Sequence, residues 1–78
     1  PTTNVTVRLV DGSRLVLHLN HSHTISDIRS FVCESRPEYA LQPFYFMTSY
    51  PSREIEDEHA TLAEANLLNS LIVQRLKK

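Results

Sequence analysis

The chain has one glycine, one cysteine and no tryptophan in 78 residues, and each shortage closes off a class of function. Loops that cradle phosphate use several glycines to turn successive amides toward the ligand, so Gly12 alone excludes the familiar nucleotide-binding loops. Cys33 has no partner for an intramolecular disulfide, which points to a reducing, soluble compartment. No stretch approaches the roughly 20 apolar residues of a membrane span, and none has the basic-then-apolar character of a signal peptide. An excess of one charge is missing too. Eight basic residues face nine acidic ones, for a net charge of −1 and a pI near 6.5, so bulk attraction to nucleic acid or to an anionic membrane is not expected.

What is present suits a small packed domain. With 41% hydrophobic and 22% charged residues the chain is too apolar for intrinsic disorder, and its length allows a single domain over 1–78. A two-domain enzyme is excluded. The chain opens with Pro1, which suggests a module of a longer protein. Six of its eight basic residues are arginines spread singly, a distribution suited to point recognition rather than to a charge field.

Period-two alternation of Val5, Val7 and Leu9, and of Leu15, Leu17 and Leu19, predicts two strands. Asp11-Gly12 between them predicts a two-residue hairpin turn. Thr24 followed by Asp27 has the spacing of a helix cap, and Ile25, Ile28, Phe31 and Val32 then share a helical face opposite Asp27, Arg29, Ser30 and Glu34, up to Pro37. Phe44 to Thr48 reads as a strand and Arg53-Glu54-Ile55 as a brief one. Thr61-Leu62-Ala63-Glu64 has capping-box spacing and predicts a short helical turn. Ser70 to Leu76 predicts a last strand with Leu71 and Val73 facing in. The order β-β-α-β-β-(short helix)-β is that of a two-layer α+β roll, the ubiquitin-like β-grasp.

Catalytic chemistry finds little support in these residues. Cys33 lies mid-helix, without the positive surroundings that depress a thiol pKa. His21 and His23, with His18 nearby, supply too few ligands for zinc and read as solvated loop histidines. Glu54, Glu56, Asp57 and Glu58 form the one acidic run, more often a solvated turn than a binding face. A binding module remains, with no cofactor.

Tyr50-Pro51 marks the most specific candidate surface. An X-Pro amide pays only about 0.5–1 kcal/mol for its cis form, so a tight turn there can turn an aromatic ring outward at the end of the sheet. Arg8 points away from the core on the first strand, and an exposed aromatic near an exposed arginine has the composition of a binding hot spot.

The blocks Val7-Arg8-Leu9, Asp11-Gly12-Ser13-Arg14, Ile25-Ser26-Asp27-Ile28-Arg29, Phe46-Met47-Thr48-Ser49-Tyr50-Pro51-Ser52, Thr61-Leu62, Glu64-Ala65 and Ile72-Val73-Gln74-Arg75-Leu76 together resemble a UBX domain. The likeness covers essentially the whole chain and is greatest to the branch of adaptors that also carry a SEP domain and act in Golgi and endoplasmic-reticulum membrane fusion. It implies a non-catalytic ubiquitin fold that docks onto the N-terminal domain of the hexameric AAA ATPase valosin-containing protein. A strand-one arginine and a Phe-Pro-Arg loop make that contact in the family; the matching residues here are Arg8 and Tyr50, Pro51 and Ser52. Tyrosine replaces phenylalanine and serine replaces arginine, with Arg53 one place later as a substitute. The resemblance further implies a cytoplasmic protein, with the nucleus left open and the parent chain at Golgi or endoplasmic-reticulum membranes, recruiting the ATPase for membrane fusion or ubiquitin-dependent protein handling. The domain itself is expected to be monomeric and not inserted in the bilayer.

Two rivals share the fold. A covalent modifier needs a flexible Gly-Gly tail, whereas this chain ends Arg75-Leu76-Lys77-Lys78, and Gln74 stands where ubiquitin's receptor-binding patch would be apolar. Another β-grasp module, pairing acidic with basic clusters or binding small GTPases, would use Glu54 to Glu58 against Arg8 or Arg14.

Overall fold

The computed structural model describes residues 2–49 and 52–77. Strands β1 (Thr2–Arg8) and β2 (Arg14–Asn20) pair antiparallel along their full length, from Thr2 opposite Asn20 to Arg8 opposite Arg14. Their connection is one residue longer than expected. Leu9 N–H donates to Ser13 O and Gly12 N–H donates back to Leu9 O, which leaves Val10, Asp11 and Gly12 as the loop, with Gly12 at φ 91°. A glycine in the left-handed region closing a three-residue hairpin is the physical reason for its place. Asp11 tightens the turn by accepting from both the amide and the hydroxyl of Ser13, and those two bonds hold its carboxyl below the ordinary aspartate range.

Helix α1 (Ile25–Ser35) begins where the sequence predicts. Asp27 N–H donates to Thr24 Oγ1 at 3.2 Å while Asp27 Oδ2 accepts from Thr24 N–H at 2.9 Å, so two amides that the helix leaves free are satisfied reciprocally. Ile25, Ile28 and Val32 are buried and Phe31 half-buried, which lays the helix across one face of the sheet. A 3-10 turn, Pro37–Leu41, follows and buries Tyr39.

Strands β3 (Phe44–Ser49), β4 (Ser52–Glu54) and β5 (Leu71–Leu76) complete a five-stranded sheet of order β2-β1-β5-β3-β4. The last strand enters the middle, parallel to β1 and antiparallel to β3. Its facing differs from expectation: Ile72 and Gln74 are buried, whereas Leu71 and Val73 are only half-buried on the other face. A one-residue phase error moves every side chain of a strand to the opposite face, and Leu-Ile-Val offers no polar residue to fix the phase.

Between β4 and β5 the chain turns without completing the expected helix. The capping-box bonds are present, Thr61 N–H to Glu64 Oε1 at 3.0 Å and Glu64 N–H to Thr61 Oγ1 at 3.1 Å. Asn66 then adopts a positive φ of 58°, which ends the turn, and Asn69 does the same at 52°. The Asn69 side chain joins the buried Thr3 hydroxyl and the Asn4 amide, fixing where β5 enters beside β1.

Candidate partner-binding surface

Strand pairing sets which side chains share a face, since directly opposed residues point the same way. Arg14, Arg8, Val73, Met47 and Glu54 form one such row across the whole sheet, on the face opposite α1. Arg8 and Arg14 are both exposed on this open face. Like charges directly opposed cost stability, about 0.2–1 kcal/mol, so their juxtaposition adds nothing to the fold.

Ser52 lies opposite Ser49 and Arg53 opposite Thr48, in the row of Val7 and Ile72. Ser52 therefore shares the face of Arg8, while Arg53 projects on the helix side. Two residues along the strands and three strands across separate Arg8 from Ser52, about 16 Å at ordinary sheet spacing. Tyr50 and Pro51, the centre of the expected loop, lie outside the described residues.

Arg53 lines a groove of about 670 Å³ between β4 and the following turn, together with Glu56, Asp57 and Glu64. Three of the four residues of the acidic run, Glu54, Glu56 and Asp57, thus line this one groove, and Glu58 leaves it. Glu58 turns inward and forms an ion pair with Arg29, whose Nε donates to Glu58 Oε1 at 2.8 Å. Arg29 is not on a solvated helix face as its position implies: its guanidinium carbon sits 4.3 Å from the centroid of Phe44 and 5.6 Å from that of Phe46. The Glu58 carboxylate raises the Arg29 pKa further above its ordinary value. A capped i, i+3 pattern cannot reveal a partner that lies 29 residues away.

Gln74 likewise belongs to the interior rather than to a surface patch. It is 1% exposed, and its Oε1 accepts from Val10 N–H at 3.2 Å. His23 serves local structure: its Nδ1 accepts from Asn20 N–H and its ring meets the edge of Phe31. Among the described residues no group of His, Cys, Asp and Glu side chains is arranged to hold a metal ion, and no helix is long and apolar enough to cross a membrane.

These strands, this helix and this returning β5 match known folds and sequences over nearly their whole length. The UBX domain family matches residues 1–76. The chain belongs to the UBX domain family.

UBX domain-containing protein 2B of Mus musculus is 52% identical over 99% of this chain, and UBX domain-containing protein 2 of Caenorhabditis elegans is 45% identical over 97% of it. A Dictyostelium discoideum relative, NSFL1 cofactor p47 homolog, is 40% identical over 99%. The chain spans about a quarter of these relatives' length or less: 23%, 25% and 18%. A designed protein based on ubiquitin superposes with a TM-score of 0.80 at 17% identity, covering 99% of this chain and 90% of its own, which establishes the ubiquitin-like α+β β-grasp fold. UBX domains are adaptor domains.

Proposed function

We propose that this UBX domain docks onto the N-terminal domain of the hexameric AAA ATPase valosin-containing protein, through Arg8 on β1 and the loop of Tyr50, Pro51 and Ser52. The observation that supports it best is Arg8 itself: exposed on the face opposite α1, opposed by Arg14, and in no ion pair among the described residues. A guanidinium left free in this way is available to fork onto a partner carboxylate. Ser52, on the same face, marks where the loop rejoins the sheet. Arg53, on the helix side, is then a flank of the loop and not the replacement for the family's loop arginine. The tyrosine at position 50 supplies an aromatic anchor whose hydroxyl needs water or a partner on burial.

The relative named as an NSFL1 cofactor supports a role as an ATPase adaptor. On this reading the domain is non-catalytic, needs no cofactor and is monomeric by itself. Its parent protein works in the cytoplasm or nucleus, at Golgi or endoplasmic-reticulum membranes, recruiting the ATPase for membrane fusion or ubiquitin-dependent protein handling. A pull-down with the isolated ATPase N-terminal domain tests it: the wild-type chain is retained and Tyr50→Ala is lost, and equal retention of both removes the loop from the proposal.

A further inference from the structure

Between the end of β5 and the β1–β2 turn lies a second groove, of about 450 Å³. Arg8, Val10, Gly12, Gln74, Arg75 and Leu76 line it, and no acidic residue does so among the described residues. Three features make it more than a gap between strands. First, Arg8 and Arg75 are both exposed and neither makes an ion pair among the described residues. Second, Val10 is 42% exposed and Val73, on the face of Arg8 and Arg75, is half-buried, so an apolar surface lies beside the two cations. Third, Gln74 is buried with its Oε1 occupied by Val10 N–H, while its Nε2 has no acceptor among the described residues. A buried donor without an acceptor costs roughly 1–3 kcal/mol, a cost that a bound oxygen would remove.

We propose that this groove binds an extended acidic peptide segment of a partner protein. One carboxylate lies between the guanidinium groups of Arg8 and Arg75, an adjoining apolar side chain covers Val10 and Val73, and an oxygen reaching the floor becomes the acceptor for Gln74 Nε2. Charge complementarity selects the occupant. Two arginines with no acid between them favour an anion, and their planar forks match a carboxylate. The apolar rim favours a chain that alternates acidic with apolar residues over a bare inorganic ion. A net charge of −1 and only two cations in the groove among the described residues disfavour nucleic acid. Arg8 is shared with the ATPase-docking surface, but this inference does not rest on that reading, since the groove lies at the end of β1 and β5.

The test is an amide-shift NMR titration of the 78-residue chain with a capped Asp-Leu-Asp-Leu-Asp peptide, against its Asn-Leu-Asn-Leu-Asn counterpart and against inorganic phosphate. The acidic peptide is expected to shift the amides of Val10, Gly12 and residues 73–77 together with the side-chain amide of Gln74. It should bind about tenfold more tightly than the asparagine peptide. Arg75→Glu is expected to weaken it by a further tenfold or so, and Arg75→Lys by less, because a lysine keeps the charge but loses the fork. Equal shifts from the acidic and the asparagine peptides, or shifts centred elsewhere, overturn the proposal even if Arg75→Glu proves unfolded. Equivalent shifts from phosphate alone would show a simple anion site and overturn the peptide assignment. No ATPase is present in this titration, so its failure leaves the docking reading standing and the converse holds as well.

Discussion

Arg29 on α1 reaches across to Glu58, donating from Nε to Oε1 at 2.8 Å while its guanidinium lies 4.3 Å from the centroid of the Phe44 ring. One side chain thereby ties the helix, the sheet core and the long turn before β5. Both partners are partly exposed, at 31% and 24% of side-chain area, so the ion pair itself is screened and its share is small. The cation over the ring and the buried aliphatic stem add to it. Arg29→Ala is expected to lower unfolding free energy by about 1–2 kcal/mol, and a double-mutant cycle with Glu58→Gln to show coupling below about 1 kcal/mol. Urea denaturation with coincident fluorescence and circular-dichroism transitions measures both.

The unpartnered amide of Gln74 makes the opposite prediction for a core substitution. Gln74→Leu removes a buried donor without an acceptor, and the Val10 amide it abandons belongs to an exposed residue that can turn to water. The variant is expected to be as stable as the parent or more stable, by up to about 1 kcal/mol. Gln74→Glu puts an ionisable carboxyl in place of a buried neutral amide and is expected to cost about 2–3 kcal/mol at neutral pH. Thermal unfolding of the three proteins ranks them. If Gln74→Leu gains stability while losing affinity for the acidic peptide, residue 74 is maintained for binding rather than for folding.

Thr24→Ala deletes one side of a reciprocal pair. The loss expected is about 1 kcal/mol, with Asp27→Asn smaller because an amide oxygen still accepts from the Thr24 N–H but carries no charge for the helix dipole. Hydrogen exchange should localise the effect to the first turn of α1, raising the rates at 26–28 with little change in the sheet.

Asp11 gives a pH signature. Two bonds from Ser13 lower its pKa in the folded hairpin, so its contribution is present above the unfolded value and is lost as pH falls through the folded one. NMR titration should place its midpoint below that of an ordinary aspartate. In Asp11→Ala the fall in stability toward acid should be shallower than in the parent, and a midpoint at or above the ordinary value contradicts the turn geometry.

The parts of this fold that were legible in sequence are those set by local rules. Gly12 marked the hairpin, Thr24 and Asp27 the helix start, and Thr61 and Glu64 their own reciprocal bonds. What could not be read there depends on distant partners. Arg29 looked solvated because its ring and its carboxylate come from β3 and from residue 58, and Gln74 looked like surface because Leu71 to Val73 carry no phase information. Arg8 was recognisable as exposed from alternation alone, yet its pairing with Arg14 and its separation from Ser52 required the register of the whole sheet. The face of Arg53 was likewise hidden until β4 had a partner in Thr48.

Titration calorimetry of the folded chain against the isolated N-terminal domain of valosin-containing protein, with the parent, Arg8→Ala and Tyr50→Ala compared at one salt concentration, tests the account most directly. Each substitution is expected to cost about 2 kcal/mol of binding free energy, roughly a thirtyfold loss of affinity. Losses of less than about threefold for both would contradict docking through the arginine and the loop.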